Sequence, residues 1–75
     1  MMAEEAAAQE KIGTNVRYWR ARRALTQSQL AEAAGLTLST VNRIERGITK
    51  PHPTTIHRLA VALGVGVEEI LRGLF

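Results

Sequence analysis

Gly35 constrains this chain more than any other residue, because it separates two short apolar stripes that follow each other almost without a gap. Upstream of it, Leu30, Ala31 and Ala34 recur at helical spacing behind Thr26. The Thr26 hydroxyl is placed to accept from free backbone N–H groups of the next turn, and Gln29 stands where a capping box needs it. Downstream, only Leu36 precedes a second N-cap, Thr37, after which Val41 and Ile44 repeat the stripe until Gly47. The spacing predicts helices over 27–34 and 38–46, joined by a turn so short that their crossing angle is nearly fixed. A steep crossing needs a small residue where the backbones approach, and Ala31 is small. It needs a residue that tolerates positive φ, which Gly35 supplies, and apolar groups between the helices, which Leu30, Ala34, Leu36, Val41 and Ile44 supply. The segment QSQLAEAAGLTLSTVNRIER meets these demands in register.

The flanking sequence extends the helical pattern. Ile12, Val16 and Trp19 share a face of a helix predicted over 10–24, with arginines on its other sides. Residues 1–9, rich in alanine and glutamate and without apolar periodicity, read as a frayed helical lead-in or a flexible N-terminal tail, and 10–75 as the folded domain. The stretch 48–53 carries two prolines around His52 and reads as an extended loop. Thr54 or Thr55 opens a fourth helix that buries Ile56, Leu59, Ala60 and Leu63 and stops at Gly64. A fifth runs from Val67 to about Leu74 through Ile70 and Leu71. No strand alternation or internal repeat interrupts this order. The expected fold is all-α, a compact bundle of five helices in one domain, which is all that 75 residues permit.

Composition narrows the function classes. No apolar run approaches the length of a membrane span, and the first residues lack the basic-then-apolar order of an export signal, so no membrane partner is expected. The absence of cysteine is consistent with a cytoplasmic setting and removes disulfides and thiolate metal sites. His52 and His57 are separated by Pro53 and have no carboxylates grouped with them, so no metal, no cofactor and no enzymatic activity is expected. A glycine-rich phosphate loop is also missing. The net charge of +3 is unevenly spread: from Arg17 to Arg58 there are eight bases (17, 20, 22, 23, 43, 46, 50 and 58) against two acids, Glu32 and Glu45. Acids concentrate at Glu4, Glu5 and Glu10 and at Glu68 and Glu69. A basic middle between acidic ends fits either a surface that meets a polyanion or an ordinary solvated one.

The segments LTQSQLAEAAGL, STVNRIERGITKP and IHRLAVALGVGVEEIL together resemble the lambda-repressor-like helix-turn-helix proteins, the Cro/C1-type family, over roughly Ile12 to Leu71. The resemblance implies sequence-specific binding of double-stranded DNA and transcriptional regulation, repressor-like, with the third helix in the major groove. It implies base-reading by Thr37, Leu38, Ser39, Asn42 and Arg43. Arg43 suits guanine, Asn42 suits adenine, and the methyl groups of Thr37 and Leu38 suit thymine. Leu38 departs from the polar residue common at its place in the family. Phosphate contacts are expected from Gln27 at the start of the second helix, where the free N–H groups favour an anion, and from Thr26, Thr40, Arg46, Lys50 and His52. Arg20 and Glu45 are expected to form a structural ion pair between the first and third helices. Trp19 is expected in the core and Tyr18 on the surface. Val61, Leu74 and Phe75 remain after the core is filled and are the candidate contacts of a homodimer on DNA. The competing reading is a protein-interaction module, such as an antitoxin, on the same fold.

Overall fold

At its N-terminal end the chain is helical by propensity more than by burial. In the computed structural model, which describes residues 2–74, α1 spans Met2–Arg22. Residues 2–9 are thus the first part of that helix, the helical lead-in and not the flexible tail, for a simple reason. Alanine and glutamate are good helix formers, and a helix already nucleated by packing at Ile12 and Val16 extends at little cost. Glu4 and Glu5 lie in the first turn and Arg20 and Arg22 in the last, as the helix dipole favours.

α1 stops earlier than its sequence pattern suggests, because Ala24 takes a left-handed conformation (φ 56°) that swings the chain into α2, Gln27–Ala34. The Thr26 capping box opens α2: the Gln29 N–H donates to Thr26 Oγ1 at 3.0 Å, and the Thr26 N–H donates to Gln29 Oε1 at 2.8 Å. Gly35 closes it at φ 69°, with its N–H on the last carbonyls of the helix. α3, Leu38–Glu45, begins at Thr37, whose Oγ1 accepts from the Thr40 N–H at 3.1 Å. Arg46 is its C-cap, not its last turn.

α4, Pro53–Leu63, starts one residue before the expected threonines, because proline at a helix's first position loses no hydrogen bond and already holds the required φ. α5 is only Val67–Ile70; the expected continuation to Leu74 is instead a turn with Gly73 at φ 90°. Among the described residues there is no strand.

α1 lies mainly on α3, α2 on α3 and α4, and α5 on α4 and α1. Their shared core is Ile12, Val16, Leu30, Ala31, Ala34, Val41, Ile44, Ile56, Leu59, Ala60, Leu63 and Ile70. Trp19, Leu36 and Leu74 are half-buried against it. Leu74 therefore packs back on its own bundle, which corrects the expectation that it is left over for a second copy. Phe75 lies outside the described residues. Of the two described dimer candidates, Val61 stands out in solvent, at 65% exposure.

Two contacts that the sequence pattern did not signal fix α1 on the bundle. Gly13 lies against the end of α3, where a Cβ would come within 2.5 Å of the Ile44 carbonyl oxygen and 2.7 Å of that of Glu45. Asn15 Nδ2 donates to the Ile70 and Arg72 carbonyls at 2.8 and 2.9 Å, tying the end of α5 to α1.

Candidate nucleic-acid interface

The apolar stripe of α3 turns Val41 and Ile44 fully inward, so the opposite face must point out. On it Leu38, Ser39 and Arg43 are exposed, with Leu38 at 49%, and Asn42 is half-buried. No other described segment covers this face. Thr37, at the N-cap, is exposed, and its hydroxyl donates to Thr40 Oγ1 at 2.9 Å while accepting from the backbone. Its hydroxyl hydrogen is thus used locally, and one lone pair and the methyl group are what it can offer outward. Arg43 is held along the face by Ser39: Nη2 donates to Ser39 Oγ at 2.9 Å. The rest of the guanidinium fork stays available.

The residues expected to meet phosphate fall into two settings. Thr26 and Gln27 stand at the opening of α2, beside the exposed face of α3; a bond from Asn42 Nδ2 to Gln27 Oε1 at 3.3 Å links the two helices there. Thr40 is half-buried at the start of α3, and its own hydroxyl hydrogen is free of a protein acceptor among the described residues. Lys50 and His52 lie in the loop between α3 and α4. Both are exposed, and His52 occupies the N-cap of α4 without a side-chain capping bond. Lys50 Nζ is 3.4 Å from Glu5 Oε1, an exposed pair made possible by the helical start of α1. Arg46 is exposed where the end of α3 meets α1, beside Glu10, Thr14 and Arg17.

Arg20 and Glu45 form a two-point ion pair. Arg20 Nε donates to Glu45 Oε2 at 2.6 Å and Nη2 donates to Oε1 at 3.0 Å, while Nη1 reaches the Leu25 carbonyl at 2.9 Å. The carboxylate is almost wholly buried, with 1% of its side chain exposed against 22% for Arg20. The bond to Glu45 raises the guanidinium pKa above its ordinary value, against the smaller opposing effect of burial. A further donor, Gln27 Nε2, reaches Glu45 Oε1 at 3.0 Å. Among the described residues no buried side-chain nitrogen or oxygen lacks a partner.

Arginines at the end of α1 and just past it, which sequence charge alone would add to the interface, have other work. Arg23 Nε donates to the Leu63 carbonyl at the end of α4 at 2.7 Å, and its guanidinium lies 5.2 Å from the Trp19 ring centroid. Arg22 sits over Tyr18 and Trp19, which meet edge to face at 5.3 Å. The described residues hold no group of three or more His, Cys, Asp or Glu side chains that would bind a metal, and no helix long and apolar enough to cross a membrane.

Known proteins share this arrangement. A family model described as Helix-turn-helix matches residues 16–70. An immunity repressor protein of Bacillus phage phi105 is 40% identical over 60 residues, covering 80% of this chain and 42% of that protein. The HTH-type transcriptional repressor RghR of Bacillus subtilis is 38% identical over 63 residues, covering 83% of this chain and 47% of that protein. The chain therefore spans less than half the length of these two relatives. Among solved structures, the restriction-modification controller protein C.AhdI from Aeromonas hydrophila superposes with a TM-score of 0.83 at 34% identity, over 85% of this chain and 97% of that one. With the capped helix pair, the outward face of α3 and these matches agreeing, the chain belongs to the helix-turn-helix family of Cro/C1 type.

Proposed function

We propose that this chain binds double-stranded DNA sequence-specifically and acts as a transcriptional repressor, with α3 lying in the major groove. The observation that carries this reading is the uncovered face of α3: Leu38 is half-exposed in water beside Ser39 and Arg43, on a helix whose angle the Gly35 turn holds. A surface leucine with no core to fill is accounted for by a thymine methyl group. Arg43 reads guanine, Asn42 reads an adjoining base, and Thr37 and Ser39 complete the face. Thr26, Gln27 and Thr40 grip one strand at the helix N-termini, Lys50 and Arg46 neutralise phosphates from the flank, and His52 hydrogen-bonds a phosphate there.

The kinship with two proteins named as repressors supports the regulatory role. Such a protein has no need of catalysis and works in the cytoplasm, where its DNA is. One α3 reads few base pairs, so we propose two copies on half-sites about 34 Å apart. Val61 is the exposed apolar residue available to their contact.

Selection of bound duplexes from a random library at about 50 mM salt tests the reading. Enrichment of a sequence with two symmetric half-sites supports it. Equal retention of all sequences, or of none, overturns it.

A further inference from the structure

Glu45 is the buried charged residue of α3, yet one of its oxygens faces towards the interface, to Gln27. A carboxylate paired with a guanidinium can only accept hydrogen bonds. The Gln27 group that meets it at 3.0 Å must therefore be the NH2, which turns the Gln27 carbonyl oxygen the other way. That oxygen in turn can only accept, so the Asn42 group 3.3 Å from it must be an NH2. The polarity of three side chains in series is thus set from the buried end. Asn42 Oδ1 is left without a protein donor among the described residues, and it is not among the buried unpartnered atoms, so solvent or a ligand can reach it.

We infer that Glu45, acting through Gln27, fixes which way round Asn42 presents its amide, and so makes that position select adenine, whose edge can meet both the outward Oδ1 and the remaining Nδ2 hydrogen, over the other three bases. The inference rests on α3 lying in the major groove. There the edges of adenine and cytosine carry the N6 and N4 amino groups, whereas guanine and thymine present only oxygen and nitrogen acceptors and a methyl group. A free asparagine could turn its amide over and bond either kind. Here that turn would set NH2 against NH2, or carbonyl against carbonyl, all the way back to the carboxylate. Adenine keeps its two-point bond, because the second hydrogen of Asn42 Nδ2 remains for N7. Gln27 likewise keeps one Nε2 hydrogen for a phosphate. Glu45 touches no DNA and is a positioning residue.

The test uses the full chain, the duplex it enriches from a random library, and the four base pairs substituted in turn at each position. N42A should lose preference at one position per half-site, and the wild-type chain should favour adenine there. Q27A, which cuts the series while leaving the Arg20–Glu45 pair in place, should weaken binding to every sequence and narrow that one preference by at least about fivefold. E45Q, whose amide can donate as well as accept, should narrow it in the same way at temperatures where circular dichroism shows it folded. Side-chain amide NMR gives a readout without DNA: the Asn42 NH2 protons should exchange with solvent faster in Q27A. A base other than adenine preferred at the Asn42 position, no position lost in N42A, or a wild-type base ranking in folded Q27A overturns the inference while leaving DNA binding intact. Failure to enrich any duplex overturns the DNA-binding reading itself, and the base-selecting role of Glu45 with it.

Discussion

Arg43 and Ser39 stand one turn apart on α3, and the 2.9 Å bond between them restrains a side chain that would otherwise sample many rotamers in water. If Arg43 forks onto guanine, Arg43→Ala should cost about 1–3 kcal/mol on the enriched duplex and remove discrimination at one base pair. Ser39→Ala should leave the same base preferred and weaken binding by about 0.5–1.5 kcal/mol, the cost of ordering a freed long side chain. Competition anisotropy against single-base variants separates these outcomes, and equal losses on specific and random duplex for Arg43→Ala would exclude a base contact. Arg20 belongs to a different calculation. Its removal strands a carboxylate with 1% of its surface exposed, a change that costs about 3–5 kcal/mol, comparable to the whole stability of a small domain. Arg20→Ala should therefore be largely unfolded at room temperature by far-UV circular dichroism. The apolar pair Arg20→Met with Glu45→Leu should recover most of the helix signal, since well-packed hydrophobic groups replace buried ion pairs at little cost. A wild-type denaturation midpoint for Arg20→Ala would show that the pair holds nothing.

At the scale of elements, α2 and α3 were legible from sequence because each carries its own start signal, stop signal and apolar stripe within eight residues. The exposed face of α3 followed from the same stripe. The first turns of α1 were legible only as a choice between helix and tail, because they bury no stripe and their helix is inherited from downstream. Gly13 was illegible for another reason: a glycine within a helical pattern looks like a weakness, and only the position of α3 shows that its missing Cβ is what lets two backbones meet. The turn of Asn42 towards Gln27 could not be read either, since it depends on rotamers across two helices. Two substitutions test the element junctions in opposite directions. Gly13→Ala would gain roughly 1 kcal/mol of helix propensity, yet it must push α3 away against backbone carbonyls, so a net loss of about 1–2 kcal/mol is expected. Ala24→Gly relieves a left-handed alanine, worth about 1–2 kcal/mol, and loses part of this to the more flexible unfolded chain. A net gain of about 0.5 kcal/mol should raise Tm by roughly 3 °C. Thermal denaturation reads both, and a stabilised Gly13→Ala would mean that α1 and α3 can slide apart freely.

On the whole molecule, charge is arranged so that α1 brings acid to the edge of the basic surface. Glu5 reaches Lys50 at 3.4 Å, and both side chains are largely in water, so the pair itself adds little to stability. Its consequence is for DNA. A phosphate that approaches Lys50 must displace Glu5 and then tolerate it as a neighbouring like charge. Glu5→Gln should therefore strengthen binding to specific and random duplex alike, by about two- to fivefold at ~50 mM salt and less at physiological ionic strength, where screening shortens the reach of the acid. Lys50→Ala should weaken both alike and flatten the plot of log K against log salt by up to about 0.9, the share of one neutralised phosphate. The two changes share one contact and should not add. With Lys50 gone, Glu5→Gln retains only its smaller long-range repulsion, so the double variant should lie close to Lys50→Ala. A Glu5→Gln gain that survives undiminished in the Lys50→Ala background would place the effect of the acid elsewhere on the surface. A gain confined to the enriched duplex would contradict the backbone role of the whole α3–α4 loop, because phosphate contacts carry no direct sequence information.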